Sequence, residues 1–186
     1  MSPFFTRSGD DGFTGLLGAG RYPKHDLRLE ALGAIDEASA ALGVARSHVQ
    51  NDENKARLLK IQRHLYGVMA EVAATPENVE KFQQINALQV NWLEEQAEAL
   101  TQSTPLPSGF IVPGDNKPAA FLDLARTVVR RAERQVAALA HRDELKNPEL
   151  LRYLNRLSSL CFLMELNETT IEEGRNPTLA KSEGEQ

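Results

Sequence analysis

The stretch Phe110-Ile-Val-Pro-Gly-Asp-Asn-Lys-Pro-Ala-Ala120 decides the fold, because a long basic helical pattern follows it at once. The Pro-Gly pair indicates a turn. Asp115 or Asn116 can cap the helix that follows, and the next proline suits the first helical turn. The sequence therefore predicts a helix over about 119–139.

The predicted basic helix has two faces. Arg126, Arg130 and Arg134 recur every four residues and lie on one side, whereas Arg131 points elsewhere. Three neighbouring guanidinium groups repel one another. This side is therefore either an anion site, since arginine matches phosphate oxygens, or a solvated basic face paired with residues such as Glu133. Spacings of three and four predict a buried stripe on the other face: Leu122, Ala125, Val129, Ala132 and Val136.

Size and composition limit the classes of function. The chain of 186 residues fits one domain with tails. A net charge of −5 argues against general nucleic-acid binding. No apolar run is long enough for a membrane span, and Met1–Asp11 has no apolar stretch typical of a secretory signal. With a single cysteine, Cys161, these features predict a cytoplasmic protein without a disulfide framework.

Residues 1–26 form a glycine-rich arm without a helical pattern. Five glycines and several hydroxyl side chains fall between Thr6 and Arg21. Glycine allows backbone N–H groups to approach and cup an anion. The alternative is a flexible arm, and neither a Walker loop nor a dinucleotide fingerprint matches. Lys24, just before the first helix, adds a mobile positive charge.

The remaining apolar spacings predict an all-α, antiparallel five-helix bundle over 27–174, followed by a disordered tail over 175–186. No strand pattern is convincing. On the first helix, Asp36 would need a cationic or donor partner if buried, whereas a solvated face suits Glu37 better. The predicted helices cover about 27–48, 53–74, 85–103, 119–139 and 148–173.

The chain has no evident nucleophile or general base. No Glu-x-x-His motif occurs, the four histidines lack metal-ligand spacing, and Cys161 falls on an apolar stripe. An enzyme of this kind would position and neutralise a polyanion while its substrates supply the reactive atoms.

Three blocks carry a family resemblance: Thr6–Gly20 leading to Asp36-Glu37, Phe110–Gly114 with Ala125–Arg134, and Tyr153–Ser158. Together they resemble the ATP:cob(I)alamin adenosyltransferases of the propanediol-utilisation type, over about residues 5 to 170. The resemblance implies a trimer with active sites between subunits. It also implies transfer of the 5′-deoxyadenosyl group of ATP to the cobalt of cob(I)alamin, which forms adenosylcobalamin and releases triphosphate. A flavin reductase and an adenosylcobalamin-dependent enzyme are candidate partners.

The resemblance also implies roles for individual residues. Arg130 would carry the main charge on the triphosphate, with Mg²⁺ held mainly by the phosphates rather than by side chains. Asp36 and Arg126 would form an ion pair between subunits. Phe110 would pack under the corrin ring and keep the lower axial ligand away from cobalt. The implied ATP contacts are Thr6, Arg7, Ser8, Gly9, Thr14, Lys24, Arg130, Arg131, Ala132, Glu133, Arg134 and Asn155.

The chain departs from the family pattern at several positions. Ser8 and Phe13 stand where threonine is frequent, Asp11 replaces a common lysine, Asp115 a glycine, Ser159 an aspartate, and Leu166-Asn167 an Arg-Tyr pair. The altered arm motivates an alternative, a non-catalytic corrinoid- or ATP-binding carrier or sensor. A structural bundle without a ligand is a third interpretation.

Overall fold

The five long helices that the apolar spacing predicted are confirmed, with one additional short helix between the second and third of them. The structure, a computed structural model, describes residues 7–173 and 176–181, apart from the side chains of 171–173. The helices are α1 (Leu27–His48), α2 (Asp52–Ala73), the short α3 (Val79–Phe82), α4 (Ala87–Ser103), α5 (Lys117–His141) and α6 (Glu149–Glu173).

The basic helix α5 lies between α1 and α6, while α2 packs on α1 and α4 packs on α6. Helices α1 and α5 are antiparallel. At one end Arg28 donates to the carbonyl of Glu144 at 3.0 Å, and at the other the rings of His48 and Phe121 lie 4.5 Å apart. The bundle therefore has one end near Arg28 and another near the beginning of α5.

The predicted buried stripe of α5 is confirmed, because Leu122, Ala125, Val129, Ala132 and Val136 are all 0% exposed. The side chain of Cys161 is also fully buried in the core, and burial raises the pKa of its thiol to about 12. Cys161 therefore acts as a core residue, as its position on an apolar stripe indicated.

The structure assigns the cap of α5 to Asn116, one of the two residues that the sequence allowed. Its side-chain oxygen accepts from the Ala119 N–H at 2.8 Å, and a proline follows in the first turn. Asp115 has another role. Its carboxylate accepts hydrogen bonds from Thr178, near the end of the chain.

The glycine-rich arm contains a pair of two-residue strands, β1 (Phe13–Thr14) and β2 (Tyr22–Pro23), which are antiparallel. The sequence did not predict them, since strands this short carry no alternating pattern. Leu17 then pairs with the end of α2, donating its N–H to the Ala73 carbonyl at 2.8 Å. A Cβ on Gly18 would lie only 1.8 Å from the Thr75 hydroxyl oxygen. Only glycine permits this close approach.

Residues 176–181 belong to the tail in which we expected disorder. They instead lie against the loop before α5, where Leu179 forms an antiparallel bridge with Ile111. Backbone hydrogen bonds between segments far apart in sequence give this part of the tail a defined place. The division into arm, bundle and tail itself stays a prediction.

Candidate active site

The three arginines on one side of α5 extend along the middle of the helix. Arg130 and Arg134 are exposed, and Arg126 is partly buried. At 1.5 Å of rise per residue, the eight residues from Arg126 to Arg134 span about 12 Å. The row extends from the part of α5 near the Phe110 loop towards the end of the bundle where the arm is attached.

Glu133 and Asn155 are brought together, although 22 residues separate them. The Asn155 amide donates to Glu133 Oε1 at 2.9 Å, and Arg156 donates to Asn155 Oδ1 at 2.9 Å. Glu133, which the sequence offered as a neutralising partner for the arginines, therefore orients the asparagine. Both residues were implied ATP contacts, and they lie beside the arginine row.

Arg131 pairs with Glu37 of α1, so it points away from the other arginines, as the helical spacing indicated. Val44 lies two turns after Glu37, and Leu124 lies two turns before Arg131. Because the helices are antiparallel, this spacing places both apolar side chains on the face that carries the ion pair, displaced from it in the same direction. They are 43% and 53% exposed, respectively. The α1–α5 pair thus presents an outer face with an ion pair and exposed apolar groups.

Arg126 forms an ion pair with Asp123 within the same helix, with Nη2 and Oδ1 2.6 Å apart. Asp36 is exposed on α1. It therefore does not need the partner that a buried aspartate would require. The ion pair predicted between Asp36 and Arg126 joins two different subunits. Contacts within one chain do not test it, and it stays a prediction. The sequence reasoning missed Asp123, although its three-residue spacing from Arg126 was a signal.

A cavity of about 590 Å³ lies next to this ion pair. Its wall includes the loop of residues 106–111, Asp123 and Arg126 from α5, and Phe162 from α6. The Phe110 side chain is 90% exposed at this cavity. An aromatic ring that exposed is costly to hydrate, so the cavity suits a largely apolar ligand.

Glu165 is a buried acid near this cavity that the sequence reasoning missed. Its side chain is 1% exposed, and Oε2 has no hydrogen-bond partner among the described residues. Burial and the carboxylates of Asp123 and Asp115 raise the pKa of Glu165 to about 8, although Arg126 opposes this effect. A signal was available, since Glu165 lies one turn after the core residue Cys161.

The arm residues near Lys24 form a compact cluster at the other end of the bundle. Lys24 Nζ donates to the Gly9 carbonyl at 2.8 Å, and a Cβ on Gly9 would lie 3.2 Å from that nitrogen. Arg21 pairs with Asp11 at 2.7 Å, and this pairing lowers the pKa of the Asp11 carboxyl. The implied ATP contacts Ser8 and Thr14 belong to the same segment. Thr6 lies outside the described residues.

The described ranges contain no group of three His, Cys, Asp or Glu side chains arranged to hold a metal ion. In the same ranges, no helix combines the length and apolarity that a bilayer crossing requires.

Fold and site together define a helical-bundle protein with a row of arginines on one helix and an adjoining cavity at which Phe110 is exposed. A sequence profile of the cobalamin adenosyltransferase family matches residues 4–168. The chain belongs to this family.

Relatives with known names match most of the chain. A corrinoid adenosyltransferase of Bacillus subtilis is 39% identical over 162 residues, which are 85% of this chain and 82% of that protein. A corrinoid adenosyltransferase of Citrobacter freundii is 36% identical over 173 residues, which are 91% of this chain and 97% of that protein.

Solved structures agree with the sequence matches. A variant PduO-type ATP:corrinoid adenosyltransferase from Lactobacillus reuteri, complexed with cobalamin and ATP, superimposes with a TM-score of 0.85 at 30% identity. The match covers 96% of this chain and 97% of that one.

Proposed function

We propose that this protein transfers the 5′-deoxyadenosyl group of ATP to the cobalt of cob(I)alamin, forming adenosylcobalamin and releasing triphosphate. In this reaction a cobalt–carbon bond forms and the bond from C5′ to the triphosphate oxygen breaks. Cobalt(I) supplies both electrons of the new bond. The protein therefore needs no nucleophile or general base of its own, in agreement with the side chains of the site.

The observation that carries the proposal is the row of Arg126, Arg130 and Arg134 between the arm and the Phe110 cavity. Negative charge develops on the departing triphosphate, and preorganised guanidinium groups stabilise that charge. Arg130 is exposed at the centre of the row, where it can carry the main contact. Asn155, oriented by Glu133, would contact the nucleotide beside it.

ATP would lie between the arginine row and the arm, with Arg7, Ser8, Gly9, Thr14 and Lys24 as arm contacts. The described residues offer no dedicated metal cage. Mg²⁺ would therefore be coordinated mainly by the ATP phosphates, as is usual for this ion, and would neutralise part of their charge.

The corrin ring would lie at the Phe110 cavity. Phe110 presents an apolar surface without a metal-binding atom, which disfavours a polar lower axial ligand. Cobalt(II) without that ligand is easier to reduce to cobalt(I). The neighbouring Arg126 would face the same ligand from α5, since it lines the cavity.

We infer that the protein acts as a homotrimer with sites between subunits. The outer face of α1 and α5 supports this inference, because Val44 and Leu124 are exposed beside the Glu37–Arg131 ion pair. Burial against another copy would remove this apolar area from water. Asp36 lies next to Glu37 on the same helix and would reach Arg126 of a neighbouring subunit there.

A non-catalytic corrinoid or ATP carrier is the second candidate. It is favoured by one observation, the Asp11–Arg21 ion pair, which neutralises a cation in the arm. The arginine row and Phe110 remain, and we therefore favour the enzyme.

The direct test is anaerobic. Cob(I)alamin and Mg-ATP are mixed with the protein, and adenosylcobalamin is followed by absorbance while released triphosphate is measured. Formation of both products in equal amounts would support the enzyme. ATP binding without either product would support the carrier. A structural bundle predicts no thermal shift, whereas Mg-ATP at one hundred times its dissociation constant should stabilise an ATP-binding protein by about 2.7 kcal/mol.

A further inference from the structure

The C-terminal strap, defined as residues 176–181, pairs with the backbone that carries Phe110. The Ala180 N–H donates to the Phe110 carbonyl at 2.7 Å, and the Val112 N–H donates to the Thr178 carbonyl at 2.8 Å. Ile111 and Leu179 face each other between these two bonds. The residues on either side of Ile111 are thus held by main-chain hydrogen bonds.

Asp115 fastens the strap with both of its carboxylate oxygens. Oδ2 accepts from the Thr178 N–H at 2.9 Å, and Oδ1 accepts from the Thr178 hydroxyl at 2.6 Å. Gly114, just before it, has a φ of +118°, a conformation that favours glycine. Hydrogen bonds to a charged carboxylate are stronger than those between neutral groups, so Thr178 is the best-fixed residue of the strap.

Phe110 depends on this backbone support. Its side chain is 90% exposed, so little side-chain packing holds the ring in place. The strap also adjoins the loop that forms the cavity wall, because Pro177 and Leu179 line a second cavity together with Pro107 and Ser108. Movement of the strap would therefore move both the ring and the wall.

We propose that Asp115 and Thr178 are positioning residues for the corrinoid side of the reaction, holding Phe110 at the cavity through the strap. This inference rests on the proposed function. Neither residue touches a reacting atom, so their effect should fall on the state of bound cobalt and not on ATP. The sequence supplies a reason to test Asp115 in particular, because it stands where the family pattern has glycine.

The test compares Thr178→Val with Thr178→Ser in the full chain. Valine keeps the size and backbone but removes the hydroxyl donor, whereas serine retains it. With Mg-ATP bound, the electron paramagnetic resonance spectrum of bound cob(II)alamin reports the fraction of four-coordinate cobalt. Turnover is then measured from cob(II)alamin with a chemical reductant, and separately from cob(I)alamin reduced beforehand.

For Thr178→Val we expect a smaller four-coordinate fraction and roughly tenfold slower turnover from cob(II)alamin, the loss expected for one charge-assisted hydrogen bond. ATP affinity should not change, and Thr178→Ser should resemble the wild type. Asp115→Ala removes both hydrogen bonds to Thr178 and should therefore show a larger loss than Thr178→Val. Asp115→Asn, which keeps one acceptor, should resemble Thr178→Val.

A wild-type spectrum and rate for Thr178→Val would overturn the inference, as would equal losses in the valine and serine variants. The wild-type reaction with cob(I)alamin tests the proposed function separately. If wild-type protein makes no adenosylcobalamin there, the proposed function fails and the positioning role fails with it.

Discussion

Replacing Glu165 by glutamine should change how the stability of this protein depends on pH. The buried carboxyl has its pKa raised from 4.5 to about 8 by burial and nearby carboxylates. At a pH between these two pKa values, the Glu165 carboxyl is protonated in the folded chain and ionised in the unfolded chain. The free energy of unfolding therefore falls as pH rises from 4.5 to 8. Glutamine cannot ionise, so the variant lacks this contribution.

The magnitude follows from the pKa difference. Each unit of pKa corresponds to about 1.36 kcal/mol. At pH 7 the buried carboxyl therefore lowers the free energy of unfolding by about 3 kcal/mol. Relative to wild type, the free energy of unfolding of Glu165→Gln should rise by on the order of 1 kcal/mol per pH unit between pH 5 and pH 7. The rise should be smaller near pH 8, where the folded carboxyl itself loses its proton. A buried amide has its own cost. That cost is independent of pH, so the slope is the quantity to compare.

The assay is urea unfolding followed by circular dichroism at pH 5, 6, 7 and 8, with protein concentration held fixed because assembly also contributes to stability. Glu98→Gln on α4 is the matched control, since it makes the same chemical change at an exposed position. Parallel stability curves for wild type and Glu165→Gln would refute the reasoning. They would mean that the carboxyl gains a partner or water that leaves it ionised when folded.

Three further predictions concern the proposed reaction. Arg130→Ala should lower kcat about 100-fold, because it removes a positive charge that stabilises the leaving triphosphate. Arg63→Ala, at an exposed position on α2, should leave kcat unchanged. Equal effects of the two substitutions would contradict an anion site on α5. Phe110→Ala should keep Mg-ATP binding in calorimetry but slow turnover from cob(II)alamin, and unchanged turnover with a reductant supplied would count against its proposed role. Asp36→Arg and Arg126→Asp should each lose activity and regain part of it when combined, and the absence of rescue would argue against their pairing.

Much of the fold could be predicted from local pattern. The apolar stripe of α5 is buried as its spacing indicated, because a helix that packs on both α1 and α6 must bury the same face along its whole length. The spacing also placed Arg131 apart from the other arginines, and it pairs with Glu37 instead. Local pattern left the cap of α5 open, since Asp115 and Asn116 both suit that position.

The candidate site was predicted less completely. Helical spacing grouped the arginines, and the family resemblance named Phe110 and Asn155. Neither indicated that Glu133 would receive its hydrogen bond from Asn155. That contact depends on how α5 and α6 pack. Their relative rotation cannot be predicted from the sequence of either helix alone.

The sequence by itself therefore determined the helices, the buried stripe and the row of arginines, since each depends on residues a few positions apart. Only the tertiary structure decided that Asp115 reaches Thr178, 63 residues away, and that Glu165 is enclosed without a hydrogen-bond partner for Oε2 among the described residues. The physical reason is that hydrogen-bond partners and desolvation depend on which distant segments are brought together. In this protein the strap meets the backbone of Phe110 in this way.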